Sequence, residues 1–302
     1  MKARPVHFLL LIVLALTWGS SFILMKKGMR DTEGLPVFTA FQVAAMRLSM
    51  AGLILLPVSI HAFRKLKLSD YKWIAVVGLV GSGIPAFLFT TAQSHLDSGI
   101  SGILNSLTPL FTLIVGLVIF RRKTNLSQVA GVTVGLLGAI FLILLGKSEG
   151  QTDWAYALLI VIATFSYGLS VNTVPSKLAH VHSLHITSVS LLMAGIPCAV
   201  YVWLSDVQSV VINNPAGWSS FGYVLILACL GTAVANVLYF QLTQETSALF
   251  ASSVTYLMPL VAILWGVYDN EVVTWEHMVC AAIIIGGVWL VNRGRIQLAA
   301  KK

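Results

Sequence analysis

Apolar residues run through this chain in stretches of about twenty, broken by short clusters of charged and small polar residues; each stretch is long enough for a helix that crosses a bilayer core. They lie near residues 6–28, 38–58, 71–92, 98–120 and 126–146 and, after the loop from Lys147 to Thr152, near 153–174, 183–204, 219–242, 247–268 and 275–292. The pattern predicts an all-α membrane protein of ten transmembrane helices, with loops too short for a soluble domain. The seventh stretch is the weakest, because it carries many Ser and Thr and Pro197. The basic start and apolar run at the N-terminus resemble a secretory leader, but the run continues to Gly28 and reads as a span.

The two halves match when the second is slid back by 150 residues: Leu107-Thr108-Pro109-Leu110 falls on Leu257-Met258-Pro259-Leu260, Gly81 on Gly231, Gly116 on Gly266 and Thr124 on Thr274. A one-residue change of shift aligns Trp18-Gly19-Ser20-Ser21 with Tyr167-Gly168-Leu169-Ser170, and a shift of 143 aligns Met50-Ala51-Gly52 with Met193-Ala194-Gly195. The expected domains are a first repeat over 1–146 and a second over 147–302. Five helices per repeat make the second enter the membrane from the opposite face, so the repeats are expected to be inverted, the architecture of alternating access.

Composition agrees with the pattern. Hydrophobic residues make up 57% of the chain and charged residues 10%, against about 25% charged in a soluble domain. The net charge of +8 is split into short clusters, which suits lipid headgroups and forms no face for nucleic acid. With a cytoplasmic N-terminus, fourteen basic residues fall inside (Lys2, Arg4, Arg64, Lys65, Lys67, Lys72, Arg121, Arg122, Lys123, Lys177, Arg293, Arg295, Lys301, Lys302) and four outside (Lys26, Lys27, Arg30, Lys147). That bias predicts both termini in the cytoplasm and an even number of spans. Cys198, Cys229 and Cys280 sit in apolar runs without metal-ligand spacing, so neither a disulfide nor a metal site is expected.

The opening LALTWGSSFILMKKG, the second span FQVAAMRLSMAGLILLP and the stretch FLFTTAQSHLDSGISGILNSLTPLFTLIVGLVIF, repeated as VLYFQLTQETSALFASSVTYLMPLVAILWGV, resemble the EamA family of the drug/metabolite transporter (DMT) superfamily over nearly the whole chain. The resemblance implies a two-repeat, ten-helix exporter or exchanger of amino acids or other small metabolites in the cytoplasmic (inner) membrane. The family usually keeps a Glu a few residues after the glycine closing its fourth helix; this chain keeps it as Glu271 in the second repeat and has Arg121 in the first.

A solute path needs polar side chains facing the bundle interior. Ser101, Asn105, Thr108 and Thr112 share one face of the fourth span, and Pro109 frees a carbonyl one turn earlier, near Asn105. Their mates in the ninth span, Ala251, Thr255, Met258 and Ala262, are less polar, and Pro259 repeats the break. That asymmetry suggests that the fourth span reads the polar end of a solute and the ninth its apolar part. The first span adds Thr17, Trp18 and Ser21, the sixth Tyr167 and Asn172, and the eighth Asn236 and Tyr239; packing and interhelical hydrogen bonds compete with a lining role for each. Trp73, Trp154, Trp218 and Trp275 lie near span ends, where an interfacial belt is expected. Arg47 is the one ionisable residue well inside a span, where an unpaired charge costs at least about 2.5–3.5 kcal/mol. It is expected to have partners, as a structural Arg bonded to carbonyls in a peripheral helix by preference, or as an anion contact.

All eleven acidic residues fall in loops or at span ends, which speaks against strong proton coupling. His95 and His185, near span ends, read as solvated. No nucleophile with a base, paired carboxylates or metal cluster falls inside the spans, so catalysis is not expected and no cofactor is implied. Within transport, drug efflux and nucleotide-sugar carriage compete with metabolite export, although no basic cluster suits a phosphorylated solute. A sensory or lipid-binding membrane protein is the reading from another class. Gly131, Gly135, Gly138, Gly286 and Gly287 permit close helix packing, within the fold by preference or in a dimer, and set no oligomeric state.

Overall fold

The computed structural model describes residues 4–121, 125–145 and 154–300, without the side chains of 143–145, 288 and 291–300. Lys2, Arg122, Lys123, Thr124, Lys301, Lys302, the loop at 147–152 and the boundary expected at 146–147 lie outside the described residues, as do the side chains of Arg293 and Arg295. The described chain is helical, and its only β feature is an isolated bridge between Arg30 and Pro36. In order, the helices are α1 (Pro5–Met29), α2 (Ala40–Ile54), α3 (Leu56–Phe63), α4 (Leu68–Gln93), α5 (Ser98–Val118), α6 (Leu126–Leu145), α7 (Trp154–Lys177), α8 (Ser183–Leu204), α9 (Val207–Asn213), α10 (Gly217–Glu245), α11 (Ala248–Tyr268) and α12 (Trp275–Ala300).

Seven of these, α1, α4, α5, α7, α8, α10 and α11, are individually long and apolar enough to cross a membrane, and the pair α2 and α3, bent by 60°, is long and apolar enough only when taken together. The shorter apolar stretches Leu126–Leu142 and Trp275–Gly287 lie in α6 and α12. Large side chains such as Leu9, Leu53, Trp203 and Leu264 cover the outside, a surface suited to hydrocarbon rather than water. The protein is therefore a multi-pass membrane protein.

The second span and two of the later ones depart from simple rods, whereas the weak seventh stretch forms over the residues expected of it. The second span is broken at Leu55 with a 60° bend, because Pro57 enters at the start of α3 and cannot bond the preceding turn. The weak seventh stretch forms an unbroken helix, α8, whose hydroxyls turn inward along the backbone: Thr187 donates to the Ser183 carbonyl at 3.0 Å and Ser190 to that of Thr187 at 3.1 Å. Both α4 and α10 pass through π-helical turns, at Val76–Gly83 and Cys229–Val234.

Helix ends meet at two poles. At the first, Lys26 and Lys27 reach Asp269, Ser220 donates to the Lys27 carbonyl at 3.0 Å, Gln42 bonds Asp206, and His95 stacks on Tyr156 at 3.7 Å. At the second, His7 lies 3.1 Å from Glu245, His180 lies 3.1 Å from Asp70, and the rings of His61 and His185 are 6.1 Å apart. Trp154, Trp218 and Trp275 are exposed near helix ends, and Trp73 is half-buried beneath the ammonium groups of Lys72 and Lys177.

Helix partners are exchanged between the halves. α1 packs on α10 and α11, α7 packs on α4 and α5, α2 lies along α8, and α6 along α12. Close approaches are reciprocal as well. A Cβ on Gly52 would stand 3.0 Å from the Leu191 carbonyl oxygen, and one on Gly195 would stand 2.8 Å from that of Leu48. Gly287 lies against Gly131 and Gly135, so these glycines serve packing between α6 and α12.

Candidate functional site

At mid-height of the bundle the two halves leave a cavity of about 840 Å³ counting its open side, of which about 90 Å³ admits the centres of water molecules. Its walls come from α1, α2, α4, α5, α7, α10 and α11. With the shifts that align the halves, most lining residues have their mate in the lining too: Trp18 and Tyr167, Ser21 and Ser170, Ser82 and Thr232, Phe89 and Tyr239, Asn105 and Thr255, Thr108 and Met258. A space bounded by such pairs sits between the matching segments of the two halves.

The helix breaks explain why polar groups reach this depth. α5 interrupts its hydrogen bonding around Ser106 and Leu107, one turn ahead of Pro109, and α11 tightens to a 3₁₀ turn at Ser253–Tyr256 ahead of Pro259. The carbonyl that Pro109 frees, at Asn105, accepts from the Thr108 hydroxyl at 2.8 Å, so one of its two lone pairs is already engaged within the helix. The carbonyl that Pro259 frees, at Thr255, accepts from the Ser106 hydroxyl at 3.1 Å. Asn105 extends its amide toward the Met258 sulfur at 3.4 Å.

Opposite these groups stands an aromatic wall. Trp18 and Tyr239 meet edge to face with centroids 4.9 Å apart, and Phe89 stacks near Tyr167 at 5.9 Å. The Trp18 indole donates to the Gly231 carbonyl at 2.9 Å, inside the π-turn of α10, which fixes the ring. Neither the Tyr167 nor the Tyr239 hydroxyl, nor the Asn236 amide, bonds another described residue; all three belong to residues lining the cavity.

Arg47 reaches the cavity from the middle of α2. Its Nε donates to the Thr232 hydroxyl at 2.6 Å and its Nη1 approaches the Met25 sulfur at 3.7 Å. Thr232 in turn donates to the Leu227 carbonyl five residues back, at 3.1 Å, a spacing the π-turn allows. Among the described residues the guanidinium has no carboxylate and no carbonyl partner, and α2 is not peripheral: one face packs on α8 and another borders the cavity.

Of the residues the sequence singles out, Trp18, Ser21, Arg47, Asn105, Thr108, Tyr167, Asn236, Tyr239 and Thr255 come together in this lining. Thr17 and Asn172 stand apart from it. The Thr17 hydroxyl donates back to the Val13 carbonyl at 2.8 Å on the outer side of α1. Asn172 is buried and staples α7 to α5 by donating to the Thr112 and Gly168 carbonyls, both at 2.8 Å. Ser101 and Thr112, on the polar stripe of α5, are also outside the lining. Ser82, Ser170 and Thr232 were missed; Ser170 could have been found as the repeat mate of Ser21, whereas Ser82 and Thr232 are mates of each other and carry no such signal.

Near the first pole, Glu271 accepts from the backbone amides of Ser98 and Gly99 at 3.1 and 3.2 Å and from Lys26 at 2.9 Å, so it caps the positive end of α5. At the equivalent end of α11, where the first half offers Arg121, Ser247 caps instead, accepting from the Phe250 amide at 3.1 Å. Burial pushes the Asp269 carboxyl up, but hydrogen bonds from Lys26 and Lys27 outweigh it and hold the group below the ordinary range. Asp97, beside Glu271, is held above that range by burial and by the Glu271 charge, with Lys26 and His277 working the other way.

The sequence profile of the EamA-like transporter family matches residues 6–144 and 154–293. The uncharacterized inner membrane transporter YedA of Escherichia coli (strain K12) is 26% identical over 294 residues, covering 96% of this chain and 92% of its own length. An uncharacterized transporter of Archaeoglobus fulgidus is 23% identical over 290 residues, covering 94% of this chain and 99% of its own. A crystal structure of another protein superposes with a TM-score of 0.64 over 98% of this chain and 99% of that one at 16% identity, a likeness of fold alone.

Proposed function

This chain belongs to the EamA-like transporter family, and on that premise we propose that it is a secondary or facilitative transporter. In this reading it exports amino acids or similar small metabolites across the cytoplasmic membrane, with both termini in the cytoplasm. Its ten spans form two inverted five-helix repeats that alternate access to one site. The observation that carries the reading is the mid-height cavity lined by repeat mates, since a site between half-sites of opposite orientation can be opened to either face by rocking one half against the other.

Other features support it. Ten crossings would be made if the bent pair and the shorter apolar helices α6 and α12 each cross as the seven long helices do, and the two poles gather the helix ends that such crossings would put on one side. Arg64, Lys65, Lys67, Lys72 and Lys177 cluster at the pole with His180 and Glu245, which is the cytoplasmic side by charge bias. The cavity is polar along Asn105 and Thr108 and aromatic along Trp18 and Tyr239, which suits a small solute with a polar head and a flat or apolar body.

The test is efflux from sealed proteoliposomes preloaded with labelled neutral, aromatic and anionic amino acids, comparing wild type with Asn105→Leu. Faster loss of one class than from empty liposomes, abolished by the substitution, supports both transport and this site. No flux for any metabolite from folded protein would overturn transport. Flux that survives the substitution unchanged would move the site. No acidic residue lines the cavity, so the reading also expects a protonophore to leave net flux down a gradient intact.

A further inference from the structure

Resting on the reading of the cavity as the solute site, we propose that Arg47 seats a single carboxylate of the transported solute, which is an organic monocarboxylate whose apolar body lies against the aromatic wall. Arg47 is the one charged residue among those lining the cavity. A guanidinium carries five N–H donors in a rigid fork that fits a carboxylate. Its Nε is held on Thr232 at 2.6 Å and one Nη1 hydrogen points at the Met25 sulfur, which is a weak acceptor, so donors remain for the space beside it.

The repeat shows that this charge is not a requirement of the fold. With the shift that aligns Met50-Ala51-Gly52 with Met193-Ala194-Gly195, the mate of Arg47 is Ser190. Ser190 is buried, donates to the Thr187 carbonyl at 3.1 Å and takes no part in the lining. The same position, in the same packing of α2 along α8, is thus built once with a small hydroxyl and once with a cation aimed into the cavity. Thr232, whose mate is Ser82, holds that cation with a hydroxyl already committed to Leu227, so the fork is oriented before any solute arrives.

The charge balance selects the solute. One carboxylate neutralises Arg47, a second anionic group would find no cation, and an ammonium would find no carboxylate in the lining. Away from Arg47, Trp18, Phe89, Tyr167 and Tyr239 offer ring faces and edges to a flat or apolar body. An amino group is therefore tolerated next to the Asn105 amide oxygen or a ring face but is not what binding depends on.

The probes are 3-phenylpropionate, its amide 3-phenylpropanamide, and phenylalanine, competed against labelled 3-phenylpropionate on the purified full chain in detergent. Wild type is expected to bind the acid at least about tenfold more tightly than the neutral amide, the loss that follows when one partner of a buried charge pair is removed. Arg47→Gln should bring the acid-to-amide ratio close to one, and Arg47→Lys should restore part of it, since an ammonium keeps the charge without the fork. Equal affinity for acid and amide in wild type overturns the proposal without any variant. If that equal binding falls in Asn105→Leu, the cavity still holds the solute and only the carboxylate assignment is lost. Absence of binding by all three probes also overturns it, while the proteoliposome efflux decides the transporter reading separately.

Discussion

The hydroxyl of Ser106 donates to the carbonyl oxygen of Thr255 at 3.1 Å, joining the break in α5 to the break in α11 at the depth of the cavity. The acceptor is the carbonyl that Pro259 strips of its helical partner, so one side chain repairs the other half's defect. Ser106→Ala should destabilise the protein by about 0.6 and at most about 1.7 kcal/mol, the range of hydrogen bonds between membrane helices. The midpoint of thermal unfolding in detergent reads it out, and an unchanged midpoint would mean that the carbonyl finds another donor.

Glycines separate backbone contact from open surface. A Cβ on Gly168 would stand 2.8 Å from the Phe111 carbonyl carbon and 3.0 Å from the Thr112 nitrogen, backbone atoms that cannot rotate aside, whereas Gly222 has nothing within 4 Å. Gly168→Ala is expected to cost about 1–3 kcal/mol by forcing α7 off α5. Gly222→Ala should stabilise by about 0.5–1 kcal/mol, because an open helical position gains from Ala. Two unfolding curves of the same sign would contradict this packing.

Asp97 gives a pH signature. Its carboxyl titrates above the ordinary range, so the ionised form is disfavoured in the folded state, and that cost is present at neutral pH and disappears as pH falls through the raised value. Its side chain makes no capping hydrogen bond to α5, so amidation loses none. Asp97→Asn should therefore be more stable than wild type at pH 7, with the advantage gone below about pH 4, where carboxyls are protonated in both states. A variant less stable than wild type at pH 7 reverses the sign and refutes the assignment.

Sidedness follows from the poles. With native cysteines replaced, a cysteine at Glu33 or Asn213 should react with a membrane-impermeant maleimide in intact cells, and one at Lys65 or His182 only after permeabilisation. Glu33 follows α1 and Asn213 follows α8, helices whose far ends share a pole through Gln42 and Asp206. Labelling of Glu33 and Asn213 from opposite sides would break the inverted arrangement.

The helical membrane class was written into the sequence, because a bilayer offers no partner for backbone groups and so requires long apolar runs wherever the chain crosses it. The match between the halves was legible as well: Gly52 and Gly195 take matching places because each meets the other half's backbone by the same close approach, and Pro109 and Pro259 because each breaks its helix beside the cavity. Helical periodicity put Asn105 and Thr108 on one face. It was equally compatible with Thr112 and Ser101 on that face, and with Thr17 on α1, because spacing states which side chains share a side and not which neighbour covers that side. Only the packing of α7 on α5 assigned Asn172 to a staple, and only the two π-turns brought Ser82 and Thr232 to the cavity, since an extra residue per turn leaves no pattern in composition. Arg47 shows the division most clearly. Its need for partners followed from the cost of a charge in the membrane, but the identity of the partner, a hydroxyl 185 residues away, was decided by α2 and α10 meeting in three dimensions.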